Sequence, residues 1–400
     1  MSDLRNSWDS VDAMMRQGTA STFPAAVLLV QQRGHAVFYQ AYGWLQPEHQ
    51  HLPTRKDTLF DLASLTKLFT ATAFMHLVAE KKISLHTPIS EVLPELQGRF
   101  PILPGMDPYT KTPLPPDPTF HGQVVDARQI TFWHLLTHTA GLAAWMDCCQ
   151  PPDASPVPLP SQVSANTRRR RLQAVLRAPR FVYPPGQRLL YSDVGFILLG
   201  EAIERLAGMS LPAYFDQAIQ RPLGMSQVTF TPLRHGVPCE NIAPTELCAW
   251  RGRRLWGEVH DENAACLAGV AGHAGLFASA ADVAKLGQSF LETSERPLPD
   301  SLKREMTREQ AWMGAERRGL GWKLQTPTQS PVGQAFSSRS FGHTGFTGTS
   351  LWVDPDRELV VALLTNRVYD GRDGDAIARF RVRLHEAVVA TVDASLEERP

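Results

Sequence analysis

The chain carries no excess of charge of either sign. Forty basic and forty acidic residues cancel across 400 positions, so nothing in the balance suits nucleic acid or an anionic membrane as partner. Lysine is scarce, with eight residues against a large majority of arginine; this reads as coding bias. Long apolar runs are missing too. The longest, such as Ala25 to Val30, suit a buried strand and fall far short of a membrane span. The opening MSDLRNSWDSVDAMMRQG has neither a basic nor an apolar leader segment, which predicts a cytoplasmic location. The five cysteines, Cys148, Cys149, Cys239, Cys248 and Cys266, are odd in number and contain no C-x-x-C pair. That predicts reduced thiols and no metal site. No G-x-S-x-G elbow, Walker A loop, G-x-G-x-x-G or H-E-x-x-H occurs, so no cofactor is expected.

The apolar fraction of 43% and charged fraction of 20% are those of a globular protein, and the length suffices for a sizeable core. Residues 7–18 have the spacing of a short amphipathic helix. Two apolar runs, 25–30 and 36–42, flank Gln31 to His35 and predict an antiparallel hairpin. Helical spacing follows from Ser64 to about Lys82, then over 130–137, 168–177, 193–207, 212–219 and 280–292. The last third changes to strands at 320–325, 339–345, 348–354 and 358–365, closed by a helix over 375–392. Strands at both chain ends around a helical middle predict one sheet, from 1–60 and 310–400, with a mostly helical lobe over 61–309 inserted into it. Pro-rich stretches at 101–118 and 151–160 cannot continue helix or central strand and read as surface loops near the site. The four-arginine run 168–171 reads as a solvated helix face.

Ser64-Leu65-Thr66-Lys67 is an S-x-x-K at the start of a helix. Residues three apart share a helix face, so the Lys67 amine reaches the Ser64 hydroxyl. Free N–H groups of the first turn point at that hydroxyl. Alone the motif is weak, since a capping serine beside an exposed lysine has the same pattern. Two further segments strengthen it. Tyr191-Ser192-Asp193 follows Pro184-Pro185-Gly186 and precedes a helix. His343-Thr344-Gly345 lies on a late strand.

In that order, S-x-x-K, Y-S-D and H-T-G resemble the serine β-lactamase and penicillin-binding-protein superfamily, in its class C β-lactamase, DD-peptidase and esterase branch. Leu135 to Leu142, Gly269 to Phe277 and Gly319 to Trp322 resemble it as well, and the likeness covers roughly 20–390. It implies an α+β fold: an antiparallel sheet flanked by terminal helices, with an all-helical lobe inserted and the site in the cleft between. It also implies roles. Ser64 attacks a carbonyl, Lys67 and Tyr191 shuttle its proton, and the backbone N–H groups of Ser64 and Phe346 form an oxyanion hole. Asp193, His343, Thr344 and Gly345 line the substrate side.

Two departures bear on substrate. His343 stands where lysine is commoner, which weakens a fixed cation for a substrate carboxylate. Asp193 stands where asparagine is common, and an ionised carboxylate accepts hydrogen bonds without donating any. Asp193 can instead pair with Lys67 and keep it protonated, which favours phenolate at Tyr191 and makes Tyr191 the general base. The expected function is a serine hydrolase forming an acyl-enzyme, a carboxylesterase on short-chain esters. The alternatives are a β-lactamase, a D-Ala-D-Ala carboxypeptidase or D-aminopeptidase, and, in another class, a non-catalytic scaffold. The expected partner is a small ester or amide, with no nucleic acid and no membrane. His134 and His138 share metal-ligand spacing but lack a third ligand, so packing is expected. The polar run His260 to Asn263 and nearby His273 read as a hydrogen-bonded loop. Trp133, Trp250, Trp256, Trp312, Trp322 and Trp352 read mostly as core or rim.

Overall fold

A computed structural model describes residues 8–149 and 159–397. Nine strands build the main sheet: Ala25–Gln32 (β1), His35–Gln46 (β2), His51–Pro53 (β3), Ala311–Met313 (β4), Glu316–Arg318 (β5), Lys323–Leu324 (β6), Phe341–Thr344 (β7), Ser350–Asp354 (β8) and Leu359–Thr365 (β9). Their order is β4-β5-β6-β7-β8-β9-β1-β2-β3, antiparallel throughout. The two chain ends meet at β1 and β9, in register at Val27 opposite Leu364.

Both central strands are apolar on both faces, so both faces need cover. Alternation assigns the faces. Ala26, Leu28 and Val30 of β1, with Val361 and Leu363 of β9, join one core with Val11, Met15, Phe380, Leu384 and Val388. Those last residues come from two terminal helices, Asp9–Ser21 (α1) and Asp375–Glu397 (α6). Val27 and Leu29, with Val360 and Leu364, face the larger core built from the middle of the chain. There Thr66–Ala79 (α2), apolar all round, is buried on nearly every side. Ala165–Arg177 (α3) and Asp193–Ala207 (α4) belong to the same helical body. Ala280–Ser289 (α5) rests directly on the sheet. A Cβ on its Gly287 would lie 2.9 Å from Val360, 3.0 Å from Leu351 and 3.2 Å from Val353.

The fold is therefore the α+β sheet with terminal helices and inserted helices that the sequence led us to expect. Several details differ. The hairpin β4–β5 and the helix Asp300–Thr307 were not expected; the two strands of AWMGAERR are only three residues long, one apolar and one charged, and their turn has Gly314 at φ 59°. The strand expected over 320–325 shrinks to β6, since Gly321 takes φ 79° against Ala71 of α2. The helix expected over 212–219 ends at Phe215 and widens into a π turn over Asp216–Gln220. The loop 101–118 passes over the cleft, and most of 151–160 lies outside the described residues. The expectation of five reduced thiols fails for two: Cys149 and Cys266 form a disulfide, with Cα atoms 5.3 Å apart. They are 117 residues apart in sequence, so only the tertiary fold brings them together. Cys148, Cys239 and Cys248 are free.

Replacing Gly287 by valine forces α5 off the sheet. We expect a loss of about 1–3 kcal/mol, read as a lower midpoint in thermal or urea unfolding; an unchanged midpoint would contradict this packing.

Candidate active site

The site begins with a strained turn. Ala63 adopts φ 46°, in the left-handed region that a Cβ disfavours. Its surroundings hold it there. Asp61, buried, accepts from the Ala63 N–H at 2.8 Å and from the His260 N–H at 2.6 Å. The strand end after β7 closes the other side. Thr347 donates to the Asp61 carbonyl at 2.7 Å and Thr349 to the Leu62 carbonyl at 3.0 Å. Gly345 is obligatory between them, because a Cβ there would strike Thr349 and the Leu62 carbonyl. This stitching presents Ser64 at the head of α2 and brings Phe346 into the same cleft.

Beneath Ser64, Lys67 is fully buried. Its Nζ donates to Ser64 Oγ at 3.0 Å and to the His273 carbonyl at 3.0 Å. It also lies 2.7 Å from Asp193 Oδ1, an ion pair off the angle of a hydrogen bond. Burial works most strongly against the ammonium, but Asp193 and Tyr191 together outweigh it and raise Lys67 above its ordinary value. Asp193 is the first residue of α4, placed by its N–H bond to the Ala144 carbonyl and by the Ser192 cap.

Tyr191 stands beside this pair. Its ring lies 4.8 Å from Lys67 Nζ, and its buried hydroxyl has no hydrogen-bond partner among the described residues. Burial raises its pKa, and the opposing pull of Lys67 does not cancel that. The resting pair is therefore ammonium and neutral phenol. The phenolate that a charged Lys67 was expected to favour is stabilised by it, yet burial wins in the free site. His138 backs the Tyr191 ring at 4.6 Å, and its Nδ1 accepts from the Ser192 N–H at 3.1 Å. Burial holds it well below its ordinary pKa, so it is neutral. Its i−4 neighbour His134 is spent elsewhere, capping its own helix through the Thr131 N–H at 3.1 Å.

His343 is also brought to the site. It is buried, 5.8 Å from the Tyr191 ring, and donates from Nδ1 to the Thr344 carbonyl at 2.8 Å. Burial first, then Arg318, keep it neutral. Arg318 is the residue that sequence reasoning missed here. From β5 its guanidinium lies 5.3 Å from the Tyr191 centroid, and Nη1 approaches His343 Nε2 at 3.5 Å. Glu316 pairs with it at 3.1 Å. A fixed cation therefore stands behind His343. The signal was at hand, since Arg318 immediately precedes the Gly319 to Trp322 stretch.

The cleft holds a cavity of about 180 Å³ lined by Ser64, Tyr191, Asp193 and Phe346, and by none of His343, Thr344 and Gly345. His260, Asp261 and Glu262 line it too, so the polar run shapes the cleft as well as the lobe. His273 Nε2 meets Asp261 at 2.8 Å, which ties that run to the carbonyl gripping Lys67. Tyr109, Lys111 and Trp145 complete the rim, none of them foreseen individually. Among the described residues no cluster of His, Cys, Asp and Glu could hold a metal, and no helix is long and apolar enough to cross a membrane.

Fold and site together define a β-lactamase-like hydrolase. The chain belongs to the Beta-lactamase family, whose model matches residues 11–386. A protein of Salmonella agona named "Putative D-alanyl-D-alanine carboxypeptidase" is 31% identical, over 89% of this chain and 82% of its own. One of the same name from Escherichia coli K12 is 30% identical over 90% and 82%. Among solved structures, EstCE1, "a hydrolase with promiscuous acyltransferase activity", matches with TM-score 0.69 at 20% identity, over 96% of this chain and 100% of its own. An octameric penicillin-binding protein homologue from Pyrococcus abyssi matches at TM-score 0.67 and 21% identity, over 97% and 76%.

Arg318→Met removes a charge that depresses both buried imidazoles. Their pKa values should move up, His343 furthest, in an NMR titration of labelled histidines. Arg318→Lys should keep them low. Unmoved imidazoles in Arg318→Met would contradict the electrostatic link.

Proposed function

We propose that this protein is an acyl-enzyme hydrolase with Ser64 as nucleophile, and that its substrates are carboxylic esters with short acyl chains. The observation that carries the reading is the shared hydrogen bond and ion pair at Lys67, which joins Ser64 to Asp193 beneath an unpartnered Tyr191 hydroxyl. Tyr191, once deprotonated beside the Lys67 ammonium, takes the Ser64 proton as Oγ bonds to the ester carbonyl. The oxyanion settles between the Ser64 and Phe346 N–H groups, each worth about 3–4 kcal/mol in the transition state. Collapse breaks the bond to the alcohol, which leaves with the proton from Tyr191. Water repeats the cycle, giving its proton to Tyr191 and its oxygen to the acyl group, and Ser64 regains a proton as the acid departs.

The site's polarity favours esters. Asp193 only accepts and is committed to Lys67, so it offers nothing to an amide carbonyl. His343 is neutral and turned to the Thr344 carbonyl, so it is no anchor for a terminal carboxylate. An alcohol also leaves with less help from an acid than an amine does. A D-Ala-D-Ala carboxypeptidase is the second reading, favoured by the name that the relatives at 30% and 31% identity carry.

Ser64→Ala should lower ester turnover by about four orders of magnitude or more and abolish the burst with p-nitrophenyl butyrate, leaving the thermal midpoint in place. Full activity in this variant would end the proposal. On a panel of short esters, cephalosporins and D-Ala-D-Ala peptides, kcat/KM should be highest for the esters; the reverse order would select the second reading.

Tyr191 acts as phenolate with a raised pKa, so kcat/KM should climb with pH into the alkaline range. Asp193 contributes to that rise, so Asp193→Asn should move the climbing limb to lower pH. A limb that Tyr191→Phe leaves unchanged would show that another group is the base.

A further inference from the structure

Two cations of the cleft, Lys111 and Arg372, are not used by the chemistry at Ser64. Lys111, from the loop 101–118, lines the same cavity as Ser64. Its ammonium lies over the Trp145 ring, 4.0 Å from the centroid. That contact fixes the charge in place without consuming its N–H donors. Its only ion pair among the described residues is with Glu262, at 3.7 Å, beyond hydrogen-bonding distance. The other Glu262 oxygen already accepts from Arg372 at 2.8 Å, and Arg372 grips Glu246 through two more bonds at 2.8 and 2.6 Å.

The remaining carboxylates of the cleft are likewise committed. Asp193 pairs with Lys67, and Asp261 pairs with His273 and caps the helix Glu262–Cys266. Lys111 therefore remains as a positive group with unspent donors, with about a third of its side chain exposed. The cation behind β7 cannot serve this purpose, because Arg318 is only 3% exposed and screened by His343.

We propose that Lys111 is the anion-binding group of this cleft and receives a carboxylate carried by the substrate. The preferred esters then bear a free carboxylate a few bonds from the reacting carbonyl, on the acyl or the alcohol side. This rests on the acyl-enzyme reading of Ser64. Charge, an aromatic floor and an open cavity converge on Lys111, whereas the H-T-G segment presents a neutral, occupied imidazole. A charge-assisted contact of this kind acts mainly in binding, so it should appear in KM before kcat.

Two ester pairs and one inhibitor pair test it. The p-nitrophenyl monoester of glutarate is compared with p-nitrophenyl butyrate, and 3-carboxyphenyl butyrate with phenyl butyrate. The first pair reports an acyl-side carboxylate, the second an alcohol-side one. In at least one pair the charged ester should have a KM lower by fivefold or more, at low salt. The charged-to-neutral ratio of kcat/KM should fall at least fivefold, toward one, in Lys111→Met and invert in Lys111→Glu. Independently of turnover, 3-carboxyphenylboronic acid should inhibit or bind more tightly than phenylboronic acid, and lose that advantage in Lys111→Met. Equal treatment of charged and neutral compounds by the unmodified protein, or a preference that survives Lys111→Met, would overturn the proposal. Tighter binding of the carboxyphenylboronate through Lys111, with no ester turned over, would uphold the anion subsite and remove the ester reading.

Discussion

A lysine ammonium with no exposure to water must be met by acceptors on every side, and Lys67 sets that demand at the centre of this protein. An unpaired buried charge costs several kcal/mol, so the acceptors are as constrained as the cation. Ser64 Oγ comes from its own helix, the His273 carbonyl from the loop after Cys266, and Asp193 from the head of α4. Three separated parts of the chain thus converge on one nitrogen. The strained Ala63 turn, the Asp61 clamp and the Thr347 and Thr349 stitches serve the same end, because each fixes where Ser64 stands relative to that nitrogen. The same ammonium lies beside Tyr191, so the group that organises the packing also biases the proton chemistry.

Charges around Tyr191 are layered. Lys67 Nζ and the Arg318 guanidinium lie 4.8 and 5.3 Å from its ring centroid, and the neutral rings of His138 and His343 lie at 4.6 and 5.8 Å. Burial and Asp193 oppose a phenolate, and Lys67 favours it. The neutral imidazoles follow from the same arrangement, since a third or fourth positive charge in this dry space would be repelled. A cation thus stands on β5 next to His343, 3% exposed.

Legibility from sequence followed the range of the interactions. Local signals were clear: the i, i+3 spacing of Ser64 and Lys67, the helix that opens at Asp193, and the apolar run Ala25 to Val30 all lie within a few residues. The order of three short motifs located the family and with it the sheet built from both chain ends. What stayed hidden was tertiary. The Cys149–Cys266 bond joins residues 117 apart. Arg318 reaches His343 across two strand pairings. Lys111, Tyr109 and Trp145 meet only because a Pro-rich loop folds over the cleft. No periodicity records such contacts. The hairpin Ala311–Arg318 escaped because its strands are only three residues long, too short to show alternation.

The central claim is that Ser64, raised by this buried scaffold, forms a covalent bond to a substrate carbonyl. A fluorophosphonate mimics the tetrahedral anion of that step and leaves its phosphonyl group on the nucleophile as fluoride departs. After incubation with such a reagent, the intact mass should increase by one phosphonyl group, and peptide mapping should place it on Ser64. Modification elsewhere, or none while Lys67 and Tyr191 are intact, would contradict the account.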